Sequence, residues 1–112
     1  MANLFRFPER RRSARPVYFD RRELSQILSL YSRRVASGEW RDYAIDHREG
    51  VATFSVFRHT HERPLFAIMK IGGAGNRPVD YAVVTGRQKL KDSSSLSEVL
   101  SVFERKLSLV AD

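Results

Sequence analysis

His59-Thr60-His61-Glu62 is the most chemical-looking run in this sequence. Alternate residues of a strand point to one side, so His59 and His61 on a strand would share a face and could share a metal ion. Pro64 follows closely, and His47 falls beside the first turn, at the far end of its hairpin. With no third histidine at hand, His59 and His61 are weak metal candidates, and an exposed polar loop is the favoured reading. Gly72-Gly73-Ala74-Gly75-Asn76-Arg77 has the glycine content of a phosphate loop, and its amides with Arg77 could form an anion nest. It lacks the Gly-Lys-Ser/Thr ending, and Pro78 opens a strand where a phosphate loop needs a helix. A hairpin loop explains it better. Asp42 and Asp46 share a strand face, but four residues at ~3.3 Å each hold them too far apart for a tight acid pair. Trp40-Arg41-Asp42-Tyr43 reads as aromatic packing with an ion pair at a strand start. Thr53-Phe54-Ser55-Val56-Phe57 has the aromatic spacing of strands that stack RNA bases, without the basic-Gly-aromatic-Gly context that those strands carry. No catalytic residue and no cofactor is assigned.

The elements that would position these residues are legible. Asp20 with Glu23 forms a capping box, Phe19 and Leu24 a hydrophobic staple, and Gly38 a stop, predicting a helix over 21–37. Its apolar stripe is Leu24, Ile27, Leu28, Tyr31 and Val35. Strands are expected over 40–47, 51–58, 64–71 and 79–85, with Gly86 a bulge and 88–91 continuing the last one. A two-residue Glu49-Gly50 turn pairs Arg48 with Val51 and sets Ile45 against Phe54 and Tyr43 against Val56. Ser95 and Glu98 cap a second helix running to 109 or 110, with Leu96, Val99, Leu100, Phe103, Leu107 and Val110 on one face.

The expected order is α-β-β-β-β-α: an α+β fold with an antiparallel four-stranded meander, covered on one face by two helices in two layers. The covered face would carry Tyr43, Ile45, Phe54, Val56, Phe66 and Ile68. The other would carry Trp40, Phe57, Leu65 and Met69 among Asp42, Ala44, Thr53 and Ser55, more apolar than a solvated face requires. Those four apolar residues are the candidate interface anchors.

The 112 residues suit one domain, and 42% hydrophobic content is too high for wholesale disorder. The absence of cysteine excludes disulfides, thiolate metal sites and cysteine nucleophiles, and fits a reducing, cytoplasmic setting. No run approaches a membrane span. The net charge is +7, and residues 1–19 hold +4 of it: Arg6, Arg10, Arg11, Arg12 and Arg15 against Glu9. Residues 1–18 read as a flexible Arg-rich leader and 19–112 as the folded domain.

The run from Phe19-Asp20-Arg21-Arg22-Glu23-Leu24 through Ile27-Leu28-Ser29-Leu30-Tyr31, Gly38 to Asp46 and Ala52 to Arg58 resembles a family of small alphaproteobacterial proteins catalogued as a domain of unknown function. The resemblance covers roughly residues 18–110 and implies a bacterial, single-domain, cytoplasmic protein; it carries no site residue. The favoured function is a non-enzymatic interaction or regulatory module, acting through an unknown protein partner or self-association. The alternative is nucleic-acid binding, RNA above all, by Arg6, Arg10, Arg11, Arg12 and Arg15 helped by Arg41, Arg58 and Arg77. An enzyme or ligand-binding protein using the His59/His61 loop stands third.

Overall fold

The computed structural model describes residues 15–59, 63–73 and 78–111, with side chains as far as Glu104. Helix α1 spans Arg21–Ala36 and opens on a complete capping box. Asp20 Oδ1 accepts the Glu23 amide and Glu23 Oε1 accepts the Asp20 amide, each at 2.8 Å, satisfying two amides that the helix itself leaves unpaired. Strands β1 (Asp42–Arg48), β2 (Val51–Phe57), β3 (Phe66–Ile71), β4 (Asp80–Thr85) and β5 (Gln88–Ser93) follow, then helix α2 (Leu96–Ala111). Ser95 Oγ caps α2 by accepting the Glu98 amide at 3.3 Å.

The strands pair antiparallel in the order β1-β2-β3-β4-β5, an unbroken meander in an α+β fold. There are five strands where the sequence led us to expect four. The difference lies at Gly86, which has φ +56 and sits in a two-residue turn with Arg87 instead of bulging a continuing strand. The segment after it folds back as β5. The bulge is on β5 itself: Val83 pairs with Lys91 and Val84 with Lys89, so Leu90 is the extra residue. That local twist lets Leu90 pack against the core while Lys91 reaches Glu98 of α2 at 3.0 Å.

The first hairpin has the expected register. Arg48 faces Val51 across Glu49-Gly50, Ile45 faces Phe54 and Tyr43 faces Val56. Gly50 has φ +79, a conformation that other residues adopt at a cost. Alternate residues of β2 then go into the core: Ala52, Phe54 and Val56 are buried, and Ile68 and Val83 continue that face on β3 and β4. Ile27 and Leu30 of α1 and Leu96, Val99, Leu100 and Phe103 of α2 close over it.

Three expectations need correction. The buried stripe of α1 is Glu23, Ile27, Leu30 and Arg34, while Val35 is exposed. The helix packs against α2 as well as the sheet, which turns its buried face away from the purely apolar arc. Tyr43 and Ile45 point to the helix side as expected, yet all of β1 is exposed, because an edge strand lies at the margin of the helix layer. Lastly, the leader does not extend to residue 18. The Val17 amide donates to the Arg48 carbonyl at 3.2 Å, the Gly50 amide to the Arg15 carbonyl at 3.0 Å, and Val17 and Phe19 are buried. Phe5, Phe7 and most of the Arg run lie outside the described residues.

Candidate functional site

Glu23 does more than cap α1. Its side chain is buried against the sheet, where Oε1 also accepts Lys70 Nζ at 2.8 Å and Oε2 accepts the Tyr81 hydroxyl. Lys70 donates in addition to the Tyr18 carbonyl at 2.9 Å. Burial first, and then the hydrogen bond to Glu23, push the Tyr81 phenol well above its ordinary 10.0. A phenol held protonated by a carboxylate that already has cationic and amide donors is a strut, not a base. The cluster fastens the start of α1 to β3 and β4. Sequence reasoning missed it, although the parity that buries Phe66 and Ile68 also puts Lys70 on the covered face, where a lone cation needs a partner.

Arg34 fastens the other end of α1. It is 3% exposed, donates to the Phe103 carbonyl at 2.6 Å and to the Glu39 carboxylate, and lies over the Trp40 and Phe103 rings at 5.4 and 5.8 Å. Its Nε has no partner among the described residues. Trp40 belongs to this cluster. It precedes β1, is 2% exposed, and meets Phe103 edge-on at 5.3 Å and Phe66 at 6.1 Å. It therefore lies on the covered side, not on the open sheet face where the strand pattern had put it. Glu39 and Trp40 both donate backbone amides to the Arg34 carbonyl, so the turn out of α1 swings the indole under the helices before the strand begins.

The remaining candidates sort as follows. His59 is exposed beyond the end of β2, His61 lies outside the described residues, and His47 is at the opposite end of the hairpin, its ring 4.6 Å from Tyr18. No group of three metal-ligating side chains occurs among the described residues. Arg6, Arg10, Arg11 and Arg12, and residues 74–77 of the glycine loop, also fall outside them. Arg15 is exposed beside the first turn. Phe57 and Met69 lie on the open face as expected. Leu65 precedes β3 and packs partly buried against the core, because its amide is held by the Val56 carbonyl at 2.7 Å and its carbonyl by Thr85.

Among the described residues, the open sheet face, a groove between the helices and the edge strand β1 are surfaces that can meet other molecules. The open face of the sheet has an apolar centre: half-buried Phe57, Ala67 and Met69 beside buried Ala82 and Val84. Charged residues of both signs bound it: Asp42, Asp46 and Arg48 on β1, Asp80 at the start of β4, Lys89 and Asp92 on β5, and Arg63 and Arg87 beside Ala67 and Val84. A groove of about 760 Å³ runs between the helices, lined by Arg21, Arg22, Ser25, Ser29 and Arg33 on one side and Ser97, Ser101 and Glu104 on the other. Arg33 pairs with Glu104 at 3.1 Å, while Arg21 and Arg22 have no ion-pair partner among the described residues. The third surface is the edge strand β1.

No helix among the described residues is long and apolar enough to cross a membrane. No curated protein and no solved structure matches this chain. Residues 17–100, three quarters of the sequence, match a family model, which starts where Val17 enters the fold and includes both fastening clusters except Phe103. The chain therefore belongs to the family described as protein of unknown function, DUF2794.

Proposed function

We propose that the protein is a binding module without catalytic activity, whose open sheet face takes a protein partner with an apolar patch inside a charged border. The observation that supports this is the make-up of that face. Its centre is apolar around Met69, Ala82 and Val84, and its rim is charged, with acidic and basic side chains both present. An apolar centre inside a polar rim is how protein interfaces are commonly built. Met69→Glu puts a charge at the centre without touching the helix-covered core. Bait protein with and without this substitution, incubated with nuclease-treated host lysate, tests the reading. A partner held by the wild type and released by Met69→Glu, with unchanged circular dichroism, is the expected result. Equal retention by both baits overturns it.

Nucleic-acid binding is the second reading. Arg21 and Arg22 in the helix groove, together with the Arg-rich leader, are what favour it.

A further inference from the structure

We infer that β1 is a self-pairing edge, through which two copies of the chain join their sheets about a two-fold axis centred on Ile45. The hairpin ladder closes at Arg48↔Val51 across a two-residue turn. The amides and carbonyls of Asp42, Ala44 and Asp46 therefore face β2, those of Tyr43, Ile45 and His47 face outward, and the row ends at Arg48, whose carbonyl accepts the Val17 amide beside the Pro16–Glu49 bridge. The Tyr43 amide accordingly finds a side chain, donating to Asp42 Oδ1 at 2.8 Å. An unpaired row of this kind is a template for another strand.

The exposed apolar side chains of the described residues gather along this same edge. Tyr18, Val35, Tyr43 and Ile45 are 59, 41, 40 and 36% exposed. Tyr43 and Ile45 are on β1, Tyr18 packs on His47 of β1, and Val35 is one helical turn beyond Tyr31, which meets Tyr43 edge-on at 4.9 Å. The opposite edge is built differently. Lys89 and Lys91 punctuate β5 and are engaged by Asp92 and Glu98, which is how sheets discourage edge pairing.

The sequence of β1, Asp-Tyr-Ala-Ile-Asp-His-Arg, names a second copy of itself as the occupant. Antiparallel pairing centred on Ile45 sets Ile45 against its own counterpart, Tyr43 against His47, and Asp42 against Arg48. Both ends thereby gain an opposite-charge pair on directly facing positions, the arrangement that favours a register. In forming it, Asp42 releases the Tyr43 amide to the new strand, and Arg48 exchanges its exposed pair with Asp46 at 2.7 Å for one across the axis. The interface is isologous, and the axis stands perpendicular to the sheet, so both helix layers lie on the same side.

Charge reversal tests the register in the full-length chain. Sedimentation velocity over roughly a hundredfold range of concentration should show a monomer–dimer equilibrium. Asp42→Arg places like charges opposite at both ends and should weaken association by roughly tenfold, and Arg48→Asp should do the same. The double variant, Asp42→Arg with Arg48→Asp, restores both pairs and should recover association. Both positions are exposed on an edge strand, so circular dichroism should be unchanged. A monomer at every concentration overturns the inference. So does a dimer that the single variants leave intact, or one that the double variant fails to recover. Met69→Glu, on the sheet's open face, should leave this equilibrium unchanged, so the two surfaces are tested separately.

Discussion

Tyr81 shows how a single residue links the fold to pH. Its phenol stays protonated in the folded protein well above the 10.0 at which it ionises when unfolded, through burial and the bond to Glu23. Above that pH the unfolded chain has lost the proton and the folded chain has kept it, so stability falls as pH rises, by up to about 1.4 kcal/mol per pH unit for one such group. Below it, both states hold the proton and the slope from Tyr81 vanishes. Tyr31 is shifted in the same direction, first by burial and then by Asp42, so it adds to the same decline. Urea unfolding of Tyr81→Phe between pH 9 and 11 should show a shallower decline than the wild type, with the Tyr31 part remaining. An unchanged slope would mean that the Glu23 contact does not hold the phenol. The same residue marks a limit of sequence reading. Glu23 was legible as a cap, but its second use depends on Lys70 and Tyr81 being brought beneath it from separate strands, and local patterns carry no record of such meetings. Arg34 was missed for a related reason: a helix stripe read by hydropathy alone excludes the one charged residue that α2 and Glu39 together make soluble in the core.

Among the elements, the first hairpin was the most legible, because a two-residue turn and period-two alternation leave little choice of register. Phe54 goes into the core and Ser55 to the open face as that parity requires. Phe54→Ala should therefore cost about 3–5 kcal/mol in urea unfolding, while Ser55→Ala should stay within about 0.5 kcal/mol. A Ser55 variant as damaging as the Phe54 one would mean that the strand is set one residue over. The fifth strand was legible only as a continuation of the fourth over 88–91, because Gly86 was read as a bulge and not as a turn. Gln-Lys-Leu-Lys-Asp-Ser has little β-propensity of its own, and it pairs because β4 beside it sends Tyr81 and Val83 into the core and α2 anchors it through Lys91. Trp40 was misplaced because parity was extended backwards past the strand's true start. The turn held by the Arg34 carbonyl breaks the alternation, so the residue with the most area to bury goes where the helices need it.

Over the whole molecule, the feature that sequence made plainest is the uneven charge, and it yields a prediction that separates two possible sources of polyanion binding. Residues 1–19 carry +4 of the net +7, and within the fold Arg21 and Arg22 line the helix groove without an acidic partner among the described residues. Each arginine that neutralises a phosphate of single-stranded RNA releases condensed counterion, and contributes roughly −0.7 to the slope of log affinity against log salt. Replacing Arg10, Arg11 and Arg12 together with serine should then make the slope shallower by about 2 if the leader makes those contacts. Replacing Arg21 and Arg22 with serine should change it by about 1.4 if the groove does. Arg21 and Arg22 are exposed, so the melting temperature of that variant should hold. Fluorescence anisotropy with a labelled RNA, titrated at several salt concentrations, reads both slopes. Loss confined to the leader variant makes the arm an independent electrostatic tether. Loss in both joins the arm and the groove into one track along the helix layer, opposite the face proposed for a protein partner. A slope that neither variant changes removes nucleic acid as a partner for these arginines and leaves the sheet surfaces as the sites of recognition.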